Sequence, residues 1–154
     1  MRCCHNRKYF IETIESPEIR KENLCICVID VNGLKETNDT LGHAAGDELI
    51  CAVPCFAKKA FGEAAVISRM GGDEFAVLTH GSREELAGKV RQMKKIAAGH
   101  HGDLVQAVYL SAGLACQADD PELTAEGLYR KADQIMYEDK TAFYRQKGKD
   151  RRKR

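Results

Sequence analysis

Residues 24–30 read Leu-Cys-Ile-Cys-Val-Ile-Asp, and the fold turns on this stretch. An unbroken apolar run of strand length, rich in β-branched residues, is what a strand covered on both faces requires. It predicts a buried central strand from Leu24 to Asp30 that ends in a carboxylate. Asn32-Gly33 follows as a turn signal, so the chain leaves the sheet just past that acid.

On the C-terminal side, Leu41, Ala45, Leu49, Ala52, Val53, Phe56 and Ala60 recur at helical intervals. They predict a helix from Leu41 to Phe61, which Pro54 should kink or end early. Ala65 to Met70 and Phe75 to Thr79 are strand-like runs around Gly71-Gly72-Asp73-Glu74, predicting a hairpin with a tight glycine turn. Ser82 with Glu85 three residues on reads as a capping box that opens a helix running to about Ala98. His80, His100 and His101 fall in predicted loops, and His43 in a turn before its helix. Leu104 to Cys116 is a further strand candidate containing Ser111-Ala112-Gly113. A last helix fits Thr124 to about Tyr144, burying Leu128, Ala132, Ile135, Met136 and Phe143. Upstream, Tyr9, Phe10, Ile11 and Ile14 suit a short amphipathic helix interrupted at Ser16-Pro17. This order predicts an α/β (α+β layered) domain, with helices packed on a mixed sheet.

At 154 residues, 44% hydrophobic and 31% charged, the chain is sized for one core. A net charge of +1 gives no global basic field to draw it to nucleic acid or an anionic membrane. Any anion must therefore be held by a local site. No run nears the roughly 20 apolar residues that span a bilayer, and the opening MRCCHNRKYF lacks a signal-peptide core, so a cytoplasmic domain is expected. The seven cysteines, Cys3, Cys4, Cys25, Cys27, Cys51, Cys55 and Cys116, form an odd set without a Cys-x-x-Cys pair, which predicts reduced thiols. Cys3, Cys4 and His5 are adjacent and point apart, while Cys51 and Cys55 supply half a site. Small buried or terminal thiols thus fit better than zinc.

Two acidic stretches carry the chemistry. Asp30 closes a buried strand, and Asp73-Glu74 occupy a hairpin turn whose strands can share its sheet. Acids so placed are costly unless something positive binds there. Magnesium is suited to them, taking hard oxygen ligands from one or two carboxylates plus substrate phosphates. Between the two stretches, Val31 to Lys35 turns away with Gly33 able to aim amide hydrogens at one point, and Lys35 adds a charge. The bland alternatives are a strand-end acid capping a helix and ordinary surface lysines.

The residues also carry a resemblance. Asp30-Val-Asn-Gly-Leu-Lys-Glu-Thr-Asn-Asp-Thr-Leu-Gly-His-Ala-Ala-Gly-Asp47 resembles D-x-x-x-[F/L]-K-x-x-N-D-x-x-G-H-x-x-G-D, and Arg69-Met-Gly-Gly-Asp-Glu-Phe75 resembles R-x-G-G-D-E-F. Both are patterns of GGDEF-domain diguanylate cyclases. Asn6-Arg7, Ser111-Ala112-Gly113 and Ala132-Asp133 through Lys140 resemble further family motifs, in the family's order. The resemblance implies a domain over residues 1–146 followed by a basic tail at 147–154, with a mixed, largely antiparallel sheet flanked by helices. That sheet is similar to the palm of polymerases and class III nucleotide cyclases. The family's reaction joins two GTP molecules into cyclic di-GMP by attack of a 3′-hydroxyl on an α-phosphate.

Carried onto this sequence, the resemblance makes Asp30, the Val31 carbonyl, Asp73 and Glu74 ligands of Mg2+, with Mn2+ an alternative. Asp73 and Glu74 are the catalytic pair. Asn38 and Asp47 read the guanine edge from a buried pocket, rejecting adenine by leaving polar groups unpaired. Gly33, Leu34, Lys35 and Lys140 contact phosphates, and Gly71 and Gly72 leave room for the nucleotide. GTP, a second GGDEF domain and an upstream sensory domain are the implied partners, the last allowing tethering to a membrane.

Three departures bear on function. The R-x-x-D window of product-inhibited relatives reads Gly62-Glu63-Ala64-Ala65, so no inhibitory product site is expected. Tyr144 stands where a basic residue is common, with Arg145 one place on as its substitute. The D-x-L-T-G that precedes Asn-Arg in the family has no counterpart, so the chain reads as truncated at its start. Against an active cyclase stand a GTP-binding or signalling module without turnover, and an interaction module acting through its basic tail.

Overall fold

The computed structural model describes residues 4–19 and 23–148. Strand β1 is His5–Asn6 and helix α1 is Arg7–Glu15, with the Asn6 side chain accepting the Tyr9 amide as N-cap. A single 3-10 turn, Pro17–Ile19, precedes β2, Leu24–Val31. Helices α2, Leu34–Leu41, and α3, His43–Phe61, lead to the hairpin of β3, Val66–Gly71, and β4, Glu74–His80. Helix α4, Arg83–Ala98, strand β5, Leu110–Cys116, and helix α5, Ala125–Gln146, complete the fold.

The five strands lie in the order β1-β3-β4-β2-β5. Only β1 and β3 run parallel, and every other neighbouring pair is antiparallel. This is the mixed, largely antiparallel sheet that the sequence implied. All eight residues of β2 are buried, because alternate side chains enter two separate cores. Cys25, Cys27, Ile29 and Val31 pack toward α3 and α4. Leu24, Ile26 and Val28 pack toward Phe10 of α1 and Leu128, Ala132 and Met136 of α5.

Several sequence expectations need correction. Residues 34–41 form a helix of their own, set off by Gly33 at φ 78° and Gly42 at φ 90°. None of its residues is buried, so no core face marks it as a separate helix. Leu41 ends this helix and is 57% exposed, rather than opening the core face of the next. Pro54 does not end α3, which continues to Phe61, because Val53, Phe56, Ala57, Ala60 and Phe61 are buried around it and their packing outweighs one missing amide hydrogen bond. His43 is the first residue of α3 and His80 the last of β4, neither in a loop.

Residues 104–109 do not join β5. Leu104 and Val105 give their amides to the Glu48 carboxylate at 2.9 and 3.1 Å, and Ala107 sits at φ 60°, which no regular strand tolerates. Cys25 and Cys116 are opposite in the β2–β5 register and joined by a disulfide, contrary to the reduced thiols expected. They are 91 residues apart, and only the register brings them together. Cys27, Cys51 and Cys55 are free thiols; Cys3 and the tail beyond Gly148 lie outside the described residues.

Candidate active site

Asp30 continues the series Leu24, Ile26, Val28 onto the α5 face of the sheet. In register it stands between Glu74 on β4 and Ser111 on β5, and it is 7% exposed. Its Oδ2 lies 3.0 Å from Lys140 Nζ of α5, whereas its Oδ1 is buried with no hydrogen-bond partner. Burial raises its pKa from 3.8 to about 6; Lys140 works against that shift, and the negative charges of Asp73 and Glu74 add to it.

The hairpin brings the second acidic stretch to the tip of β2. The Val31 amide donates to the Asp73 carbonyl at 3.0 Å, and Arg69 closes the turn by donating from Nε and Nη2 to the Gly72 carbonyl at 3.1 and 2.7 Å. Glu74 Oε1 accepts from the Tyr129 hydroxyl of α5 at 2.5 Å. Burial, then this carboxylate, push the Tyr129 phenol well above its ordinary range. A Cβ on Gly71 or Gly72 would meet no atom within 4 Å. The turn is therefore open above both glycines, with room for a ligand to lie across it.

Beside the acids is a cavity of about 350 Å³ lined by Val31, Gly33, Leu34, Lys35, Glu36, Asp73, Lys140 and Tyr144. Gly33 caps α2 in the left-handed region, and its amide donates to the Tyr144 hydroxyl at 3.0 Å. Lys35 is exposed. Arg145 is exposed and does not line this cavity. Asn38, on α2, packs on the Gly46 backbone so closely that a Cβ there would be 1.8 Å from Asn38 Oδ1. Asp47 follows on α3 and is exposed, where the sequence reading put it in a buried pocket.

Among the described residues no three His, Cys, Asp or Glu side chains form a ready-made metal cage. The donors that do converge are oxygens, and one of them, Asp30 Oδ1, is buried and unpaired. That set fits a hard ion which takes one or two protein carboxylates and completes its shell with phosphates and water. It does not fit zinc, which wants four closed nitrogen or sulfur ligands.

Residues 3–146 match the family profile of the diguanylate cyclase GGDEF domain. The chain belongs to the GGDEF family. It is 32% identical over 143 residues to the probable diguanylate cyclase DgcT of Escherichia coli, covering 88% of this chain and 31% of that protein. It is also 32% identical over 133 residues to diguanylate cyclase A of Treponema denticola, covering 83% of this chain and 35% of that one. The chain thus spans about a third of the length of these curated relatives. Among solved structures, the GGDEF domain of YfiN (TpbB) from Pseudomonas aeruginosa superposes with a TM-score of 0.77 at 27% identity, covering 90% of this chain and 91% of that one. The GGDEF domain of DgcB from Caulobacter crescentus, solved with c-di-GMP, shares the fold at TM-score 0.78 and 23% identity, covering 91% of this chain and 85% of that one.

Within this GGDEF domain, sequence reasoning missed three contributors. Tyr129, which holds Glu74, lies eleven residues before Lys140, about three helical turns, and so on the same face of α5; that spacing was the available signal. Arg69 was matched as part of a motif, but its clamp on the turn needs coordinates. Ser111 Oγ donates to Asn32 Oδ1 at 2.9 Å, bracing the loop that follows Val31.

Proposed function

We propose that this GGDEF domain condenses two GTP molecules into cyclic di-GMP and two pyrophosphates, at a pair of facing half-sites. One observation carries the reading: a buried, unpaired carboxylate oxygen of Asp30 stands in register beside Glu74, next to a cavity lined by Lys35, Lys140, Glu36 and the start of α2. A desolvated acid left half-satisfied is costly, and a divalent ion bound with nucleotide phosphates offsets that cost.

Asp30, Glu74, Asp73 and the Val31 carbonyl are the groups that would hold Mg2+ or Mn2+. When bound, the ion lowers the pKa of the attacking hydroxyl and neutralises charge on the phosphates. Asp73, in the turn, accepts the 3′-hydroxyl proton. Lys35, Lys140 and the amides of Gly33 and Leu34 orient the triphosphate and stabilise charge on the leaving pyrophosphate. Asn38 and Asp47 read guanine, closing around its edge when the base arrives. Gly71 and Gly72 let the nucleotide lie across the turn.

Each domain carries one hairpin and one set of acids, so it activates one GTP. The 3′-hydroxyl of one nucleotide must reach the α-phosphate of another, which a second copy presents. The Gly62 to Ala65 window offers neither arginine nor aspartate to product, and feedback through that position is absent from this reading. An upstream sensory domain in a longer protein would set how often two copies meet.

Concentrated protein incubated with GTP and Mg2+ is expected to yield cyclic di-GMP by chromatography. Asp73→Ala and Glu74→Ala are each expected to lower the rate by roughly two orders of magnitude. Consumption of GTP without that product, or full rates in both variants, rejects the assignment.

A further inference from the structure

We propose that a second cavity, between α2 and the end of α5, binds a neutral, planar heteroaromatic molecule whose ring carries a carbonyl or nitrogen acceptor. The inference stands on its own observations and does not depend on the cyclase reading.

This cavity has a volume of about 400 Å³, within the range of small-molecule sites. It shares Gly33, Glu36 and Tyr144 with the cavity beside the acids, but Asp73 and Lys140 do not line it, and neither do Asn38 and Asp47. Its wall is partly aromatic. Tyr109 and Phe143 line it with ring centroids 5.9 Å apart, and Tyr109 is 46% exposed. A flat ring seated against Tyr109 covers that face and gains the stacking that aromatic pairs favour.

Asn32 supplies the polar requirement. It lines the same cavity and is 6% exposed. Ser111 Oγ donates to its Oδ1 at 2.9 Å, which fixes the amide and leaves Nδ2 as the end with no hydrogen-bond partner among the described residues. The Asn32 backbone amide donates to the Tyr109 carbonyl at 2.9 Å, so the unpaired donor and the aromatic wall are held side by side. A buried donor left unpaired is costly, and an acceptor on the ligand's edge satisfies it while the ring lies on Tyr109. Charge then selects among such ligands. Glu36 and Lys147, one of each sign, both line the cavity, and Lys147 Nζ already rests 5.1 and 5.8 Å from the Tyr109 and Phe143 ring centroids. A site so balanced offers an anion little to replace its lost hydration, which favours a neutral occupant.

The test titrates nicotinamide, a neutral ring with a carbonyl acceptor, into isotope-labelled protein and follows the amide resonances by NMR. At the millimolar concentrations suited to so small a ligand, saturable shifts are expected at the backbone amides of Tyr109, Phe143 and Lys147 and at the Asn32 side-chain amide. Tyr109→Ala, at an exposed position, is expected to weaken binding roughly fivefold through lost stacking. Asn32→Asp keeps the acceptor for Ser111 and replaces the unpaired donor with an acceptor, and is expected to weaken it roughly tenfold. Nicotinate, the same ring with a carboxylate, is expected to bind more weakly than nicotinamide. The proposal is overturned by the absence of saturable shifts, by shifts centred on Asp73 and Lys140, by unchanged affinity in either variant, or by nicotinate binding as tightly as nicotinamide.

Discussion

Gly113 has no room for a side chain. A Cβ there would lie 2.0 Å from the Ala132 carbonyl oxygen and 2.3 Å from the Met136 amide, because α5 presses its backbone onto β5. Gly113→Ala is expected to destabilise the domain by about 3 kcal/mol, since backbone must move, and a thermal melt reads this directly; an unchanged midpoint contradicts the close approach. The Ser-x-Gly pattern was legible in the sequence, while its cause was not. Asp30 shows the same division: its acid was conspicuous at the end of an apolar strand, yet its unpaired oxygen and its Lys140 partner required the fold. Its folded pKa of about 6 exceeds the ordinary 3.8, so the native state holds this proton more tightly than the unfolded chain does. The associated stability is fully present below pH 4 and is lost as pH rises through 6. Asp30→Asn is therefore expected to be the more stable protein at pH 8, by on the order of 2 kcal/mol, with the gap closing by pH 4. Melting curves across that range check the sign, and a gap that widens on acidification is the opposite result.

Among elements, α5 is the one whose pattern changes character along its length. Leu128, Ala132, Met136, Lys140 and Tyr144 recur every four residues, the first three in the apolar core and the last two lining the cavity beside the acids. Apolar periodicity found the helix and named Phe143 for its core face, although Phe143 is half-buried and packs on Tyr109 and Tyr144. A pattern search rewards greasy residues, and a buried tyrosine with a polar task is passed over. Helix α2 escaped for the converse reason, having no buried residue to signal it. The stretch from Leu104 misled because its β-like residues surrender their amides to Glu48 of α3. Glu48→Ala is expected to speed hydrogen exchange at Leu104 and Val105 and to cost about 1–3 kcal/mol, the penalty of stranding those donors. Unchanged protection at both amides would show that Glu48 does not hold the loop.

At the level of the whole molecule, topology does what no local pattern can. Asp30, Glu74 and Lys140 are scattered along the chain, and the β4-β2-β5 order with α5 laid across it gathers them at one sheet end. The fold class was legible because strand and helix periods alternate plainly, and the site was legible only as two acidic motifs whose meeting had to be assumed. The proposed pairing of half-sites predicts that cyclic di-GMP formed per protomer rises with protein concentration; constant specific activity over a hundredfold dilution contradicts the pairing. The central claim is narrower, namely that Asp30 and the hairpin acids grip a divalent ion against a nucleotide triphosphate. Calorimetric titration of Mn2+ into protein saturated with a non-hydrolysable GTP analogue tests it most directly. Wild type is predicted to bind the ion and folded Asp30→Asn to lose that binding; an Asp30→Asn protein that takes up Mn2+ as tightly as wild type would contradict the account.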